Sequence, residues 1–228
     1  MLLYIDIEHP AQLATPDQQA AHHSQRLHEK LLFEQLSGLP CLWLRYHDLF
    51  RPDLFARLRP SVVLVSGLSA EFAQFDRAAL AALLVFLRGW EGPLLGFCGG
   101  HQLIAQAHAA EIGPIRPLTA GESDPQPTFG PGFIKETGFL PVTVQEDALF
   151  AGLPATLVVY QQHYWEVKAP PLGWQSVAAS ALCPVQAMRR VGRCQYGLQF
   201  HAERFDAAHP HGRRILQNFF ALANGRRG

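Results

Sequence analysis

The chain has 228 residues, of which 48% are hydrophobic and 17% charged, so it can bury a large core and is not globally disordered. Nineteen Lys and Arg residues balance nineteen Asp and Glu residues, which leaves no basic excess to neutralise phosphates and excludes a general nucleic-acid binder. The longest apolar run, residues 78–87, falls short of the roughly 20 residues that a membrane-spanning helix requires.

From the N-terminus, residues 2–7 (LLYIDI) predict a first strand. Asp6 and Glu8 interrupt that apolar stretch and no basic segment precedes it, unlike a secretory signal. The four cysteines, Cys41, Cys98, Cys183 and Cys194, show no CxxC spacing and fit a reducing cytoplasm. Thr15, Pro16 and Gln18 predict a capped helix start, with Leu27, Leu31 and Leu36 on one side of the helix and Gly38 at its end. Residues 41–44 predict a second strand. Residues 62–65 (VVLV) read as a strand buried on both faces. A helix over 76–88, a strand over 94–97 and a helix from about Gly100 continue the alternation.

This rhythm predicts an α/β fold: an open, mostly parallel, flavodoxin-like sheet flanked by helices, in one domain spanning 1–228. Further strands are expected at 142–144, 157–160, 185–188 and 196–200, with additional antiparallel pairing in this half, and a closing helix at 210–223. Residues 119–138 hold four glycines and three prolines and read either as a surface loop or as a lid or docking loop beside an active site.

Gly96-Phe97-Cys98-Gly99-Gly100 fits G-x-C-x-G between a strand and a helix, the thiol form of a nucleophile elbow. Such a turn raises the sulfur above the carboxyl edge of the sheet and aims the Gly99 N–H at a developing oxyanion. An isolated cysteine is more often plain core; the flanking glycines favour the nucleophile. Residues 196–203 (YGLQFHAE) predict a strand ending in His201, with Glu203 two residues on. A thiol nucleophile needs a histidine base, and that imidazole needs an orienting acceptor. Cys98, His201 and Glu203 therefore form a candidate triad.

GFCGGHQ at 96–102 and QFHAE at 199–203 resemble the G-[IV]-C-x-G-x-Q and Q-F-H-P-E motifs of class I glutamine amidotransferases. Weaker matches stand in the family's order at 65–69 (VSGLS), 136–139 (ETGF), 161–165 (QQHYW) and 183–187 (CPVQA). The resemblance implies that Cys98 attacks the glutamine side-chain amide to form a γ-glutamyl thioester, while His201, held by Glu203, moves the proton. It places Gly67, Leu68 and Gly99 at an oxyanion hole, and Gln102, Gln162, His163, Tyr164 and Trp165 around the amino-acid end of the substrate. It also implies ammonia release to a separate synthetase partner. Four positions depart from the family: Leu68 stands for a glycine, Ala202 for a proline, Tyr164 for a glycine of the substrate clamp, and Trp165 adds bulk beside it. The Tyr164 and Trp165 departures keep a γ-glutamyl hydrolase open, and an inactive regulatory subunit is the non-enzymatic alternative.

The histidines at 22, 23, 201, 209 and 211 do not predict a metal site, because their spacing supplies no convergent set of three or four ligands. No phosphate-binding loop or dinucleotide fingerprint is present, and no cofactor is expected.

Overall fold

The computed structural model describes residues 1–50 and 57–225. Its strands are β1 (Leu2–Asp6), β2 (Cys41–Arg45), β3 (Val62–Val65), β4 (Leu94–Phe97), β5 (Ile112–Pro114), β6 (Glu136–Val144), β7 (Thr156–His163), β8 (Trp165–Val167), β9 (Trp174–Ala179), β10 (Ala187–Arg190) and β11 (Gln195–Leu198). The helices are α1 (Pro16–Ser37), α2 (Arg77–Gly89), α3 (Gly99–Ala107) and α4 (His211–Ala223). One large sheet has the order β2-β1-β3-β4-β11-β10-β9-β6-β7, and β5 pairs with β8 apart from it. From β2 to β11 neighbouring strands are parallel; from β11 onward every pairing is antiparallel.

β1, β3, β4 and β11 are buried on both faces, their successive residues packing into different layers, while the edge strand β2 is only partly buried. Leu2 and Tyr4 of β1 join Phe33 of α1 and Ile215 and Phe219 of α4. Leu3 and Ile5 join Leu83 of α2 and Leu103 and Ile104 of α3. At roughly 2 kcal/mol for each large apolar side chain taken out of water, these two layers are the main source of stability.

Helix α1 starts as expected, with a reciprocal capping box between Thr15 and Gln18, and ends on Gly38 in the left-handed conformation. Its inward face differs from the expectation. Leu27 and Leu31 are about half exposed, whereas Arg26, Glu29 and Phe33 are buried. The reason is polar: the Tyr4 hydroxyl donates to Glu29 at 2.5 Å, Arg26 donates to Glu29 at 2.5 Å, and Arg26 Nε lies 3.4 Å from Asp6. This network packs the buried face of α1 against β1, while Leu36, the third expected leucine, does pack against the core.

The C-terminal half carries longer and shifted strands. The expected strand at 142–144 begins instead at Glu136, so the glycine- and proline-rich connection ends at 135. The strand expected at 157–160 reaches His163, and the one expected at 185–188 occupies 187–190. β11 ends at Leu198, so His201 lies beyond the strand, where its backbone N–H donates to the Tyr160 carbonyl at 2.8 Å. Among the described residues no helix is long and apolar enough to cross a membrane.

Candidate active site

Strands β3, β4 and β11 are adjacent and parallel, so their carboxyl ends lie side by side. Gly67 and Leu68 follow β3, Cys98 follows β4, and His201 and Glu203 follow β11. Three distant stretches of sequence thus converge where open parallel sheets bind ligands.

Cys98 sits between β4 and the first turn of α3 with φ +46° and ψ −106°, a left-handed conformation unusual for a side-chain-bearing residue. Its backbone is held on both sides: its N–H donates to the Leu198 carbonyl at 2.7 Å, and its carbonyl accepts from the Gln102 N–H at 3.1 Å. The turn is tight enough to require glycine at 100, where a Cβ would lie 2.5 Å from the Val65 carbonyl oxygen. Cys98 is 6% exposed. Its Sγ lies 3.7 Å from the Gln162 carbonyl oxygen and accepts a hydrogen bond from Gln199 Nε2 at 3.6 Å. Gln199 in turn accepts from Gln102 Nε2 at 3.0 Å.

His201 Nδ1 is 2.6 Å from Glu203 Oε1. Burial by itself would lower the imidazole pKa. The Glu203 carboxylate and the Cys98 sulfur outweigh it, raising His201 from 6.5 to about 9. Glu203 is buried too, and the facing imidazolium holds its carboxyl below the ordinary value. Gly67 lies against both reacting groups: a Cβ there would be 2.8 Å from His201 Cε1 and 3.5 Å from Cys98 Cβ. The loop carrying Gly67 and Leu68 is anchored by Glu8, which accepts from the Ser69 N–H and, at 2.6 Å, from the Ser69 hydroxyl. Ser66 Oγ accepts from the Ile7 N–H at 3.0 Å and donates to the Gly67 carbonyl at 2.8 Å.

Two cavities meet at this point. A cleft of about 390 Å³, open to solvent, is lined by Leu68, Cys98, Gly99, Gln102, Gln162, His163, Tyr164 and Trp165, together with Glu71, Phe72 and Phe129. On the other side of the same loop, His201 and Glu203 face a broader polar space of about 1190 Å³, walled by Gln18, His22 and Gln25 of α1, Glu8 and Arg204. The structure therefore gathers all the expected site residues, with roles that the sequence did not resolve. The Gln102 amide is committed to the Trp165 carbonyl at 3.0 Å as well as to Gln199. The His163 ring braces the wall, with Nδ1 2.9 Å from the Trp165 carbonyl and Nε2 3.2 Å from Glu136.

Sequence reasoning did not assign Glu8, Glu71, Phe129, Gln199 or Gln186 to the site. Gln186 donates to Glu136 at 2.6 Å and accepts from Gln161 at 3.0 Å, tying β7 to the segment before β10. Gln199 and Gln186 stand inside quoted motifs, which was the available signal; Glu8 and Glu71 have none. Phe129 belongs to the glycine- and proline-rich connection, which thereby borders the cleft. The histidines are engaged elsewhere: His22 with Asp6 at 2.7 Å, His209 with Asp206 at 2.9 Å, and His211 with the Val158 N–H at 2.9 Å. Among the described residues no group of three His, Cys, Asp or Glu side chains is arranged to hold a metal ion.

A model of the class-I glutamine amidotransferase family matches residues 52–223. The chain belongs to this family. Over 132 residues it is 36% identical to one subunit of the glutamine-hydrolysing GMP synthase of Pyrococcus abyssi, a match covering 57% of this chain and 60% of that protein. It is 39% identical over 136 residues to a glutamine-hydrolysing GMP synthase of Thermus thermophilus, covering 59% of this chain and 23% of the relative. The chain thus spans under two thirds of the length of both. Among solved structures, a candidate GMP synthase subunit from Thermoplasma acidophilum superposes with a TM-score of 0.71 at 21% identity, covering 100% of this chain and 96% of the other. A glutamine amidotransferase from Thermotoga maritima superposes at 0.62 and 17% identity, covering 90% and 77%. These two share the fold.

Proposed function

We propose that this chain hydrolyses the side-chain amide of L-glutamine and releases ammonia for use by a separate synthetase protein. The observation that carries the reading is the arrangement of a strained Cys98 beside a histidine whose proton is held by a buried carboxylate. With that proton on His201, the Cys98 sulfur attacks the amide carbon as a thiolate. The resulting oxyanion is met by the backbone N–H groups of Leu68 and Gly99 at the loop that Gly67 keeps thin. His201 then protonates the departing nitrogen, the C–N bond breaks, and ammonia leaves a γ-glutamyl thioester on Sγ. A water molecule, deprotonated by His201, attacks the thioester carbon; glutamate departs and the Cys98–His201 pair is restored.

The substrate side chain enters from the cleft, with Gln102 and the 162–165 segment forming the wall at its amino-acid end. Gln199, donating to Sγ, orients the sulfur. Every step draws on a side chain or backbone group of this chain. The partner expectation follows from relatives named as a subunit of GMP synthase, and the protein is expected to act in the cytoplasm. The test is ammonia and glutamate release from L-glutamine by the purified chain, with Cys98→Ser as control. Turnover lost in the variant supports the reading, and its absence in both rejects a free-standing glutaminase.

One observation favours a second reading. The departing nitrogen leaves on the His201 side, which opens into the broader polar space and has room for a group larger than ammonia. A γ-glutamyl hydrolase would use that room, and would cleave γ-glutamyl peptides faster than glutamine in a side-by-side assay.

A further inference from the structure

Glu71 and Cys98 line the same cleft, Glu71 exposed and Cys98 buried. Glu71 follows the loop of Gly67 and Leu68 and belongs to no motif. Among the described residues lining the cleft it is the sole lysine-, arginine-, aspartate- or glutamate-type side chain. The cleft therefore carries one formal carboxylate charge and offers no lysine or arginine to a substrate carboxylate.

An exposed glutamate would ordinarily be free to move, and here it is fixed. The Tyr164 hydroxyl donates to Glu71 Oε1 across the cleft. Burial and the adjacent carboxylate push that hydroxyl above its ordinary pKa, so it remains a donor at all physiological pH values. Tyr164 is itself held, with Phe129 packed edge-on at 5.2 Å and Phe133 stacked at 6.0 Å. The next residue, Trp165, packs edge-on against Phe72 at 5.8 Å, and its carbonyl is gripped by Gln102. One Glu71 oxygen is thus spent on orientation, while Oε2 has no protein partner among the described residues.

Resting on the proposed γ-glutamyl chemistry of the cleft, we infer that Glu71 is a specificity-determining residue whose carboxylate selects substrates with a free α-ammonium group. Tyr164 acts through it as a positioning residue. The substrate class is γ-glutamyl compounds with an unblocked amine; those with an acylated or missing amine lose the ion pair and leave Glu71 facing neutral or anionic groups.

The test is equilibrium binding by calorimetry to the Cys98→Ala chain, in which no turnover intervenes, using L-glutamine and glutaramate, the same molecule without its amino group. Glutamine should bind at least about tenfold more tightly than glutaramate, and the preference should shrink with added salt. In Cys98→Ala/Glu71→Gln the preference should fall to under about twofold, and Cys98→Ala/Tyr164→Phe should lie between the two. Equal preference with and without Glu71, or no binding of either compound to the Cys98→Ala chain, overturns the assignment. Turnover by the unaltered chain reports separately on the hydrolytic reading. Glutamine hydrolysis with an unchanged preference in Glu71→Gln removes the role of Glu71 alone. Selective binding without any turnover removes the hydrolase alone.

Discussion

Replacing Glu203 with Gln preserves shape and removes the charge that holds the proton on His201. The rise of His201 from 6.5 to about 9 corresponds to on the order of 3 kcal/mol in favour of the charged imidazole. The lowering of Glu203 expresses the same interaction and is not added to it. Cys98 supplies part of the rise, so the share lost with the carboxylate is about 2 kcal/mol. The sign follows from linkage. A histidine raised on folding lends stability that is complete below its unfolded value of 6.5 and disappears as pH climbs through about 9. A carboxyl lowered on folding lends stability above its unfolded value of 4.5, lost as pH falls through its folded value. The pair therefore contributes most between 4.5 and 6.5. Urea unfolding of the wild type and Glu203→Gln should differ by about 2 kcal/mol near pH 5.5 and by under about 1 kcal/mol near pH 9.5. A difference that stays constant or grows with pH would refute the ion pair as the holder of the proton.

Three further outcomes are expected. Gly100→Ala drives a Cβ to 2.5 Å from Val65 O and 2.8 Å from Ser66 O, both backbone atoms; denaturant unfolding should show a loss of about 2 kcal/mol or more. Phe33 stacks on Phe97 at 6.0 Å and meets Tyr4 edge-on at 5.1 Å, so Phe33→Ala should cost about 3 kcal/mol or more in the same assay. Burial pushes the Cys41 thiol to about 12 and the Cys194 thiol to about 11, and drives Cys183 higher still. Brief iodoacetamide treatment near pH 8, read by peptide mass spectrometry, should therefore modify Cys98 ahead of the other three, and Cys98→Ser should abolish the fast phase.

The parallel half of the fold was legible because β3 and β4 are short apolar runs and α1 opens on an explicit capping box. The elbow was legible because its glycines answer a local steric demand that any sequence must meet the same way. The first part of β6 was hidden by its own composition: Gly138 and Pro141 lie within it and read as turn residues. Burial on α1 was misread because Arg26 and Glu29 are apolar-face residues only when Tyr4 and Asp6 lie opposite them, a pairing that no helical period reveals. Glu71 and Glu8 were invisible for a similar reason. Each is defined by a partner more than sixty positions away, Tyr164 for one and Ser69 for the other.

β11 lies between β4 and β10, so the strand leading to His201 joins the strand leading to Cys98 across about a hundred intervening residues. Such a pairing closes a long loop, and it needs both neighbours to be in place before its hydrogen bonds compensate for the lost chain entropy. The nucleophile and its base therefore meet only once this long-range pairing has formed. A chain emerging during synthesis holds its thiol without the histidine and carboxylate that activate it, so chemical competence becomes a report on completed folding.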